Sequence, residues 1–526
     1  MKTLFTNVLI VGGGIAAMKA AIAAKENIDD VTIISKGPPG KSGCSLISEG
    51  ILNGTFSDDD SPGLFFDDVM RGSANVANES LVKVLTRNAK DAVLSLNEVG
   101  VDFIKEDGRL SLSLSGGNSV ARTVRVSPPG PGCGKVIPAR LSEQLEKMGI
   151  GIIEGHSIVK ILNEGTRAVS AIAYDGNEFI QIYFKSIVLA TGGGGRLYRN
   201  STNPKGIMGD GYFLGLDAGA TLVDMEYVQF FPTVALTSYL VLPFIFTDGA
   251  ILLNSKSERF IANYDPVLLE RTTRDKMSQA IFTEDLEGRG IDGGVYVSYK
   301  EVPIEVLETK YKGELDFFSS KGINLRNEPL LVRPACHFFM GGIRIDDGCG
   351  TSIEGLYACG ECAGGVHGAN RLAGNALVET LVFGDIAGRS AAQYAKEHDH
   401  LQVEANDFIE SLPEPKEGKD EKEMVEGLRE LSWRYLGIIR SEEGLKKALE
   451  EFDKAERQLK DVEACDLKTY FELRNMIVVL RAIALSSLTR TESRGAHFRK
   501  DYPNTDPQWK KAIIIDREFD LKFEPR

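Results

Sequence analysis

Gly12-Gly13-Gly14-Ile15-Ala16-Ala17 is the first stretch whose residue types and spacing point to chemistry. Small residues at the first, third and sixth places of such a turn let a pyrophosphate settle on a helix N-terminus, where unpaired N–H groups and the helix dipole favour negative charge. The apolar run Asn7 to Val11 precedes the turn, a helical run MKAAIAAKEN follows it, and Val31 to Ile34 is a second β-run. Strand, glycine turn, helix and strand make a dinucleotide-binding βαβ unit with the G-x-G-x-x-A fingerprint. The acid that usually ends the second strand is absent; Ser35-Lys36 stands there, so a serine hydroxyl must serve the ribose. A polar loop from Gly37 through Ser42 and Gly43 to Ser45, then Ser48-Glu49-Gly50, is longer than a connector needs. Further on, Ala190-Thr191-Gly192 closes a strand, Gly209-Asp210-Gly211 opens an apolar helix, Gly355 to Glu361 reads as a core strand ending in a loop, and Asn375-Ala376-Leu377 begins a long helix. Cys359-Gly-Glu-Cys362 would be half a zinc site, but no second pair follows at matching spacing.

The elements that must position these residues belong to an ordinary globular chain. Of 526 residues, 43% are hydrophobic and 26% charged, which excludes disordered and collagen-like classes. Seven scattered cysteines argue against a disulfide framework. The balance of 61 Lys+Arg against 75 Asp+Glu is −14, so nucleic acid is not an expected partner. No run approaches the ~20 apolar residues of a membrane span, Leu236 to Phe246 being cut by Pro243. The N-terminus enters a strand with no leader pattern, so a cytoplasmic protein without membrane insertion is expected. Short strands fill 151–190, a mixed segment fills about 234–345, and 396–423 is a charge-dense linker. Beyond it, Met424, Leu428, Leu431, Tyr435 and Ile439 recur at helical period, the first of three amphipathic helices.

Four strings then identify a family. Gly355-Leu-Tyr-Ala-Cys-Gly-Glu-Cys362 with Val366-His-Gly-Ala-Asn-Arg-Leu-Ala-Gly-Asn-Ala-Leu-Val-Glu-Thr-Leu-Val-Phe-Gly384 is the longest. Gly209-Asp-Gly211, Arg333-Pro-Ala-Cys-His-Phe-Phe-Met-Gly-Gly342 and Glu492-Ser-Arg-Gly-Ala-His-Phe-Arg-Lys-Asp-Tyr-Pro503 complete the set. Together they resemble the succinate dehydrogenase, fumarate reductase and L-aspartate oxidase flavoproteins, from Val8 to about Trp509. The resemblance implies an α/β protein: a Rossmann-like FAD-binding domain in two segments (1–233 and 346–398), an inserted α+β capping domain (234–345) and a C-terminal helical domain (399–526). It implies that Gly12, Gly13, Gly14, Ala16 and Ala17 hold the FAD pyrophosphate, with Ser35 and Lys36 by the adenosine ribose. Ser42, Gly43, Glu49 and Gly50 would line the isoalloxazine, Asp210 and Glu361 would bond the sugar or ribitol, and Ala190, Thr191 and Gly192 would also touch the cofactor. Asn375, Ala376 and Leu377 would present a helix N-terminus to the flavin N1–C2 edge, where reduced flavin is anionic.

The same resemblance implies where this chain departs. The covalent members attach FAD through a histidine; the matching string here is Ser42-Gly43-Cys44-Ser45, so FAD is expected to be non-covalent. His337 and Arg371 match the histidine and arginine that clamp a substrate carboxylate. A second histidine falls on Phe231, a Thr-Glu pair on Leu242-Pro243, and the arginine expected to deliver the proton on Phe246, with no arginine between Arg199 and Arg259. Phe231, Phe244, Phe246 and Phe339 should add apolar volume, leaving a small dianion poorly neutralised unless His337 or an arginine from the cap takes over. The expected function is an FAD oxidoreductase of the fumarate reductase and succinate dehydrogenase type, with a carboxylic-acid substrate and a possible iron–sulfur partner subunit. The alternatives are an L-aspartate oxidase and an electron-transfer flavoprotein that reduces no alkene.

Overall fold

Lys2–Val11 (β1) is a strand that becomes apolar and buried from Val8 onward, and Gly12 lets the chain leave it at φ +132°, a backbone angle that side-chain-bearing residues rarely adopt. The computed structural model describes residues 1–128, 132–235, 239–413, 421–461 and 466–526. After the turn comes the alanine-rich helix Ile15–Lys25 (α1), then Val31–Ser35 (β2). β1 pairs in parallel with β2 on one side and with Phe179–Leu189 (β3) on the other. The seven-stranded sheet runs Gly151–Glu154, β2, β1, β3, Arg167–Tyr174, Ser157–Glu164, with Leu356–Ala358 also parallel to β3. Parallel strands ending together at Val11, Ser35 and Leu189 place their C-terminal loops side by side, where doubly wound sheets bind ligands.

The inserted segment builds a separate four-stranded antiparallel sheet in the order Val228–Ala235 (β4), Leu330–Phe339, Val295–Ser298, Ile251–Leu253. Arg274–Leu286 (α2) packs on β4 and buries Met277, Ala280, Ile281 and Phe282. Leu330–Phe339 (β5) pairs with β4 with two register shifts. At the first, Gln229 faces Phe338 and Phe230 faces Cys336, so His337 is an extra residue in a bulge, a device that re-aims a side chain. At the second, Pro232 sits where no ladder N–H is required of it.

Asn375–Glu397 (α3) lies along α1. The approach is close because both faces are small: a Cβ on Gly384 would come within 2.8 Å of the Ala16 carbonyl, and one on Gly388 within 2.1 Å of the Ala20 carbonyl. The C-terminal segment holds the helices Glu421–Tyr435, Glu442–Asp461 and Leu467–Thr489 (α4). It is not helical throughout: Lys511–Ile515 and Leu521–Pro525 form a hairpin that joins the strands Leu222–Val223, Gly342–Arg344 and Ala363–Gly364 in a five-stranded sheet. The linker expected at 396–423 holds the end of α3 and a short helix, Asn406–Glu410, and 414–420 lies outside the described residues, as do Leu236 to Ser238 and Cys465. Among the described residues no cysteine forms a disulfide and no helix is long and apolar enough to cross a membrane.

Substituting Gly388→Ala sets two effects against each other. Helix propensity favours alanine by about 1 kcal/mol, while overpacking against a backbone carbonyl costs about 1–3 kcal/mol. The expected outcome is a net loss of stability with weaker FAD retention, because α1 carries the pyrophosphate turn. Urea denaturation and flavin content measure both; a variant as stable as the parent would show that the α1–α3 contact has room to give.

Candidate functional site

One large cavity, about 800 Å³, opens between the glycine turn, the 42–49 loop and the cap sheet. Its first end is made of backbone. The Gly12 N–H bonds the Ile34 carbonyl at 2.9 Å and the Gly40 N–H bonds the Gly13 carbonyl at 2.9 Å. A Cβ on Gly12 would stand 2.2 Å from the Ala190 carbonyl oxygen. α1 starts at Ile15, whose N–H donates to Ser45 Oγ at 3.1 Å, so the long polar loop caps the helix as well as lining the cavity. Ser35, Lys36 and Asp210 close this end. Lys36 Nζ lies 2.7 Å from Asp210 Oδ2, and Asn475 Nδ2 on α4 donates to Asp210 Oδ1 at 3.0 Å.

In the middle, Ser42, Gly43, Cys44 and Glu49 face the N-terminus of α3 with Ala376 and Leu377. Asn53 fixes that terminus, donating to the Ala373 carbonyl at 2.8 Å and to Asn375 Oδ1 at 2.7 Å, while Gly374 at φ +88° leaves it space. Ala190, Thr191, Gly192 and Glu361 complete the floor, and Glu361 Oε1 accepts the Phe339 N–H at 3.0 Å. Burial pushes the Glu361 carboxyl up to about 7 against that hydrogen bond. Burial, then the Glu361 charge, keeps the Cys44 thiol protonated, the reverse of an activated nucleophile.

The far end belongs to the cap. His337 on its bulge has Nδ1 2.9 Å from Thr202 Oγ1, and its ring lies 5.3 Å from that of Phe231. Arg371 Nη2 donates to Gln229 Oε1 at 2.9 Å and Nη1 to the Leu372 carbonyl at 3.1 Å, leaving a buried Nε with no partner. Arg274, the first residue of α2, stacks its guanidinium 5.0 Å over the Phe231 ring. Burial, then Arg371, pulls its pKa down to about 9; burial, then Arg371 and Arg274, pushes His337 well below the usual imidazole range, so His337 is neutral near pH 7.

Three expected cofactor residues do not line the cavity. Ala17 is buried between α1 and its neighbours, Gly50 at φ +60° packs on Cys133 and Gly134, and the Asn375 side chain faces Asn53. Of the replacements left open for the missing arginine, an arginine from the cap does line the cavity: Arg274. Phe246 does not face the site; it is buried in the cap core with Ile245, Leu252 and Phe260. Phe244 is 40% exposed outside the cavity and Phe339 packs on Tyr212 and Tyr198, so of those four phenylalanines only Phe231 faces it. Arg259, the first arginine after the gap that begins at Arg199, bonds Glu270 and serves the cap instead. The sequence signal for Arg274 is slight: a charged residue opening a helix that buries Met277, Ala280, Ile281 and Phe282.

Residues 7–377 match the model of the FAD binding domain family and residues 425–525 that of the fumarate reductase flavoprotein C-term family. The chain belongs to the fumarate reductase and succinate dehydrogenase flavoprotein family, which includes the L-aspartate oxidases. It is 42% identical to an uncharacterized FAD-dependent oxidoreductase of Methanocaldococcus jannaschii, covering 97% of this chain and 96% of that one. It is 36% identical to one of the subunits of the fumarate reductase (CoM/CoB) of Methanothermobacter marburgensis, covering 98% of each. A solved E. coli quinol fumarate reductase FrdA variant matches with a TM-score of 0.89 at 27% identity, over 100% of this chain and 97% of that one. This family member is an FAD-dependent oxidoreductase, and the cavity fits the cofactor: a side-chain-free turn on a helix N-terminus at one end, and a second helix N-terminus for the flavin edge midway.

Two outcomes follow from this geometry. With a protonated thiol at Cys44, acid or heat should release all the FAD, and flavin fluorescence left on the denatured chain in a gel would contradict it. The Glu361 carboxyl, raised in the folded state above its unfolded value near 4.5, is neutral in both states at low pH and costs stability as pH rises from about 4.5 to 7. FAD-free Glu361→Gln should therefore match the parent near pH 4.5 and exceed it above pH 7, by at most about 3 kcal/mol at 1.36 kcal/mol per unit. Urea midpoints at the two pH values decide.

Proposed function

We propose that the chain transfers hydride between flavin N5 and a carboxylic-acid substrate at the carbon–carbon bond next to the carboxylate, as the flavoprotein component of a system with a separate iron–sulfur protein. The observation that carries this reading is Arg274, a desolvated guanidinium with no carboxylate partner among the described residues, facing the same cavity as Arg371 and His337. A desolvated cation without a counter-ion is costly, and an anionic ligand relieves the cost.

Bound FAD supplies or accepts the hydride. Arg371 lines the cavity and offers its guanidinium to the carboxylate, and Gln229 keeps the guanidinium plane from turning. His337 is held by Thr202 at Nδ1, so its other nitrogen meets the substrate in a fixed orientation. Arg274 holds the proton that the second alkene carbon needs. With a pKa near 9 it is charged at neutral pH yet gives up a proton far more readily than an exposed guanidinium, and in the oxidative direction it receives the proton. Phe231 beneath it and Phe338 beside Arg371 keep water from the reacting carbons; Arg371 lies 4.5 Å over the Phe338 ring. The separate electron-carrying chain is supported by the methanogen relative, whose name makes it one subunit of a larger enzyme, and by the lack of a cluster motif in this sequence.

Arg274→Gln should keep its FAD and its fold and lose about 10²–10⁴ in turnover of an unsaturated acid with a reduced viologen as donor, the range that general acid catalysis supplies. Flavin absorbance and steady-state rates check both halves. A variant within tenfold of the parent rate would remove Arg274 from the mechanism.

A further inference from the structure

At the cap end two cations, Arg371 and Arg274, stand beside an apolar wall. His337 is neutral, and the charged groups acting on it are the guanidinia of Arg371 and Arg274. Arg371 already feels Glu361 and Glu379, whereas the charge acting on Arg274 is Arg371 alone. Of the two cations, Arg371 stands with His337 to hold a carboxylate and Arg274 is the one that keeps the proton. Beside them the wall carries a hydrocarbon stretch. Phe231 is 1% exposed, Leu240 and Leu242 pack against it, and all three line the cavity. Beyond them Tyr239 and Phe317 stack at 4.9 Å and line it as well.

We infer that the substrate carries a single carboxylate and an apolar substituent on its β-carbon: a 2-enoic monocarboxylate or its saturated counterpart. This rests on the reading of Arg371 and Arg274 given above. The carboxylate lies at Arg371 and His337, and the substituent lies along Phe231, Leu240 and Leu242, with longer or aromatic arms reaching Tyr239 and Phe317. In the reductive direction the C=C π bond breaks, a hydride from the reduced cofactor forms the new C–H bond at the β-carbon, and the proton of Arg274 forms the one at the α-carbon. The two electrons come from the cofactor, which is left oxidised, and Arg274 regains its proton from solvent. A second carboxylate at the β-carbon would be desolvated against Leu240 and Leu242, and it would draw Arg274, the cation over Phe231, into an ion pair in place of proton donation; a site of this kind discriminates strongly.

The test uses the holoenzyme with a reduced viologen as donor and fumarate, (E)-2-pentenoate, (E)-2-hexenoate and (E)-cinnamate as acceptors. At least one monocarboxylate should exceed fumarate in kcat/KM by about 100-fold or more; fumarate equal to or better than all three overturns the inference. Phe231→His should shift the fumarate-to-pentenoate ratio toward fumarate by at least about tenfold, and an unchanged ratio in folded, FAD-loaded variant counts against it. Binding is measured independently of chemistry, from the flavin difference spectrum of the oxidised parent protein titrated with pentanoate and with succinate. Pentanoate tighter than succinate supports the inference even where no acid is turned over, a result that would sink only the hydride-transfer reading. Succinate as tight or tighter, or binding of neither acid, overturns it.

Discussion

The closeness of Gly12 to the Ala190 carbonyl is the contact on which the rest of the molecule depends. Any side chain at Gly12 would collide with backbone, and the collision would separate β1 from the end of β3. That separation would move the N-terminus of α1, which is held from the other side by Ser45. It would also move α3, because Gly384 and Gly388 rest on the backbone of α1. Both helix N-termini that face the cavity are thus set by backbone packed without intervening side chains, a positioning more rigid than long side chains could give. Residues far apart in sequence, 12 to 17, 190 to 192 and 375 to 377, form one surface for that reason.

The cap solves a different problem, which is to place two guanidinia and an imidazole in a low-dielectric space without neutralising them. The bulge at His337 turns one side chain out of the β4–β5 ladder, and Gln229 on the facing strand holds Arg371. α2 starts at Arg274, so its cation sits at the positive end of its own helix dipole, an unfavourable place for a cation. Stacking on Phe231 recovers part of the cost. Dipole, burial and the neighbouring Arg371 all act in one direction, making the proton of Arg274 easier to release.

The cofactor half of the site is legible in the sequence because its chemistry is local. Glycine spacing, β-runs and the Asn375-Ala-Leu helix start are contiguous, and each names its own partner. Ala17, Gly50 and Asn375 stand off the cavity wall because a motif marks a neighbourhood, and within it some residues pack against the protein. The substrate half is less legible. Phe246 holds the place of a site residue in its string, yet the chain there turns its phenylalanine into the cap core. Arg274 belongs to no such string and reaches the cavity only through the packing of α2 on β4. The C-terminal hairpin escapes for the opposite reason: its strands are short, and the strand it joins, 222–223, lies hundreds of residues away.

The separation of the two halves also explains how one fold can change substrate without losing its cofactor. Phe231, Leu240, Leu242, Tyr239 and Phe317 all come from the inserted segment or its edge, and none bonds the glycine turn or α3. Exchanging a polar side chain for a phenylalanine on β4 alters which acids can be desolvated at the cap while leaving the α1 and α3 termini untouched. Arg371 is the exception, since it sits in the loop that leads into α3 and accepts its orientation from Gln229 on β4. Their hydrogen bond, with those Gln229 donates to Asn370 Oδ1 and to the Arg371 carbonyl, ties the cap sheet to the loop of the cofactor domain. A shift of the cap sheet therefore reaches Arg371 through Gln229 and Glu361 through the Phe339 N–H, while the glycine turn and the α3 terminus are held by their own contacts with the end of β3, Ser45 and Asn53.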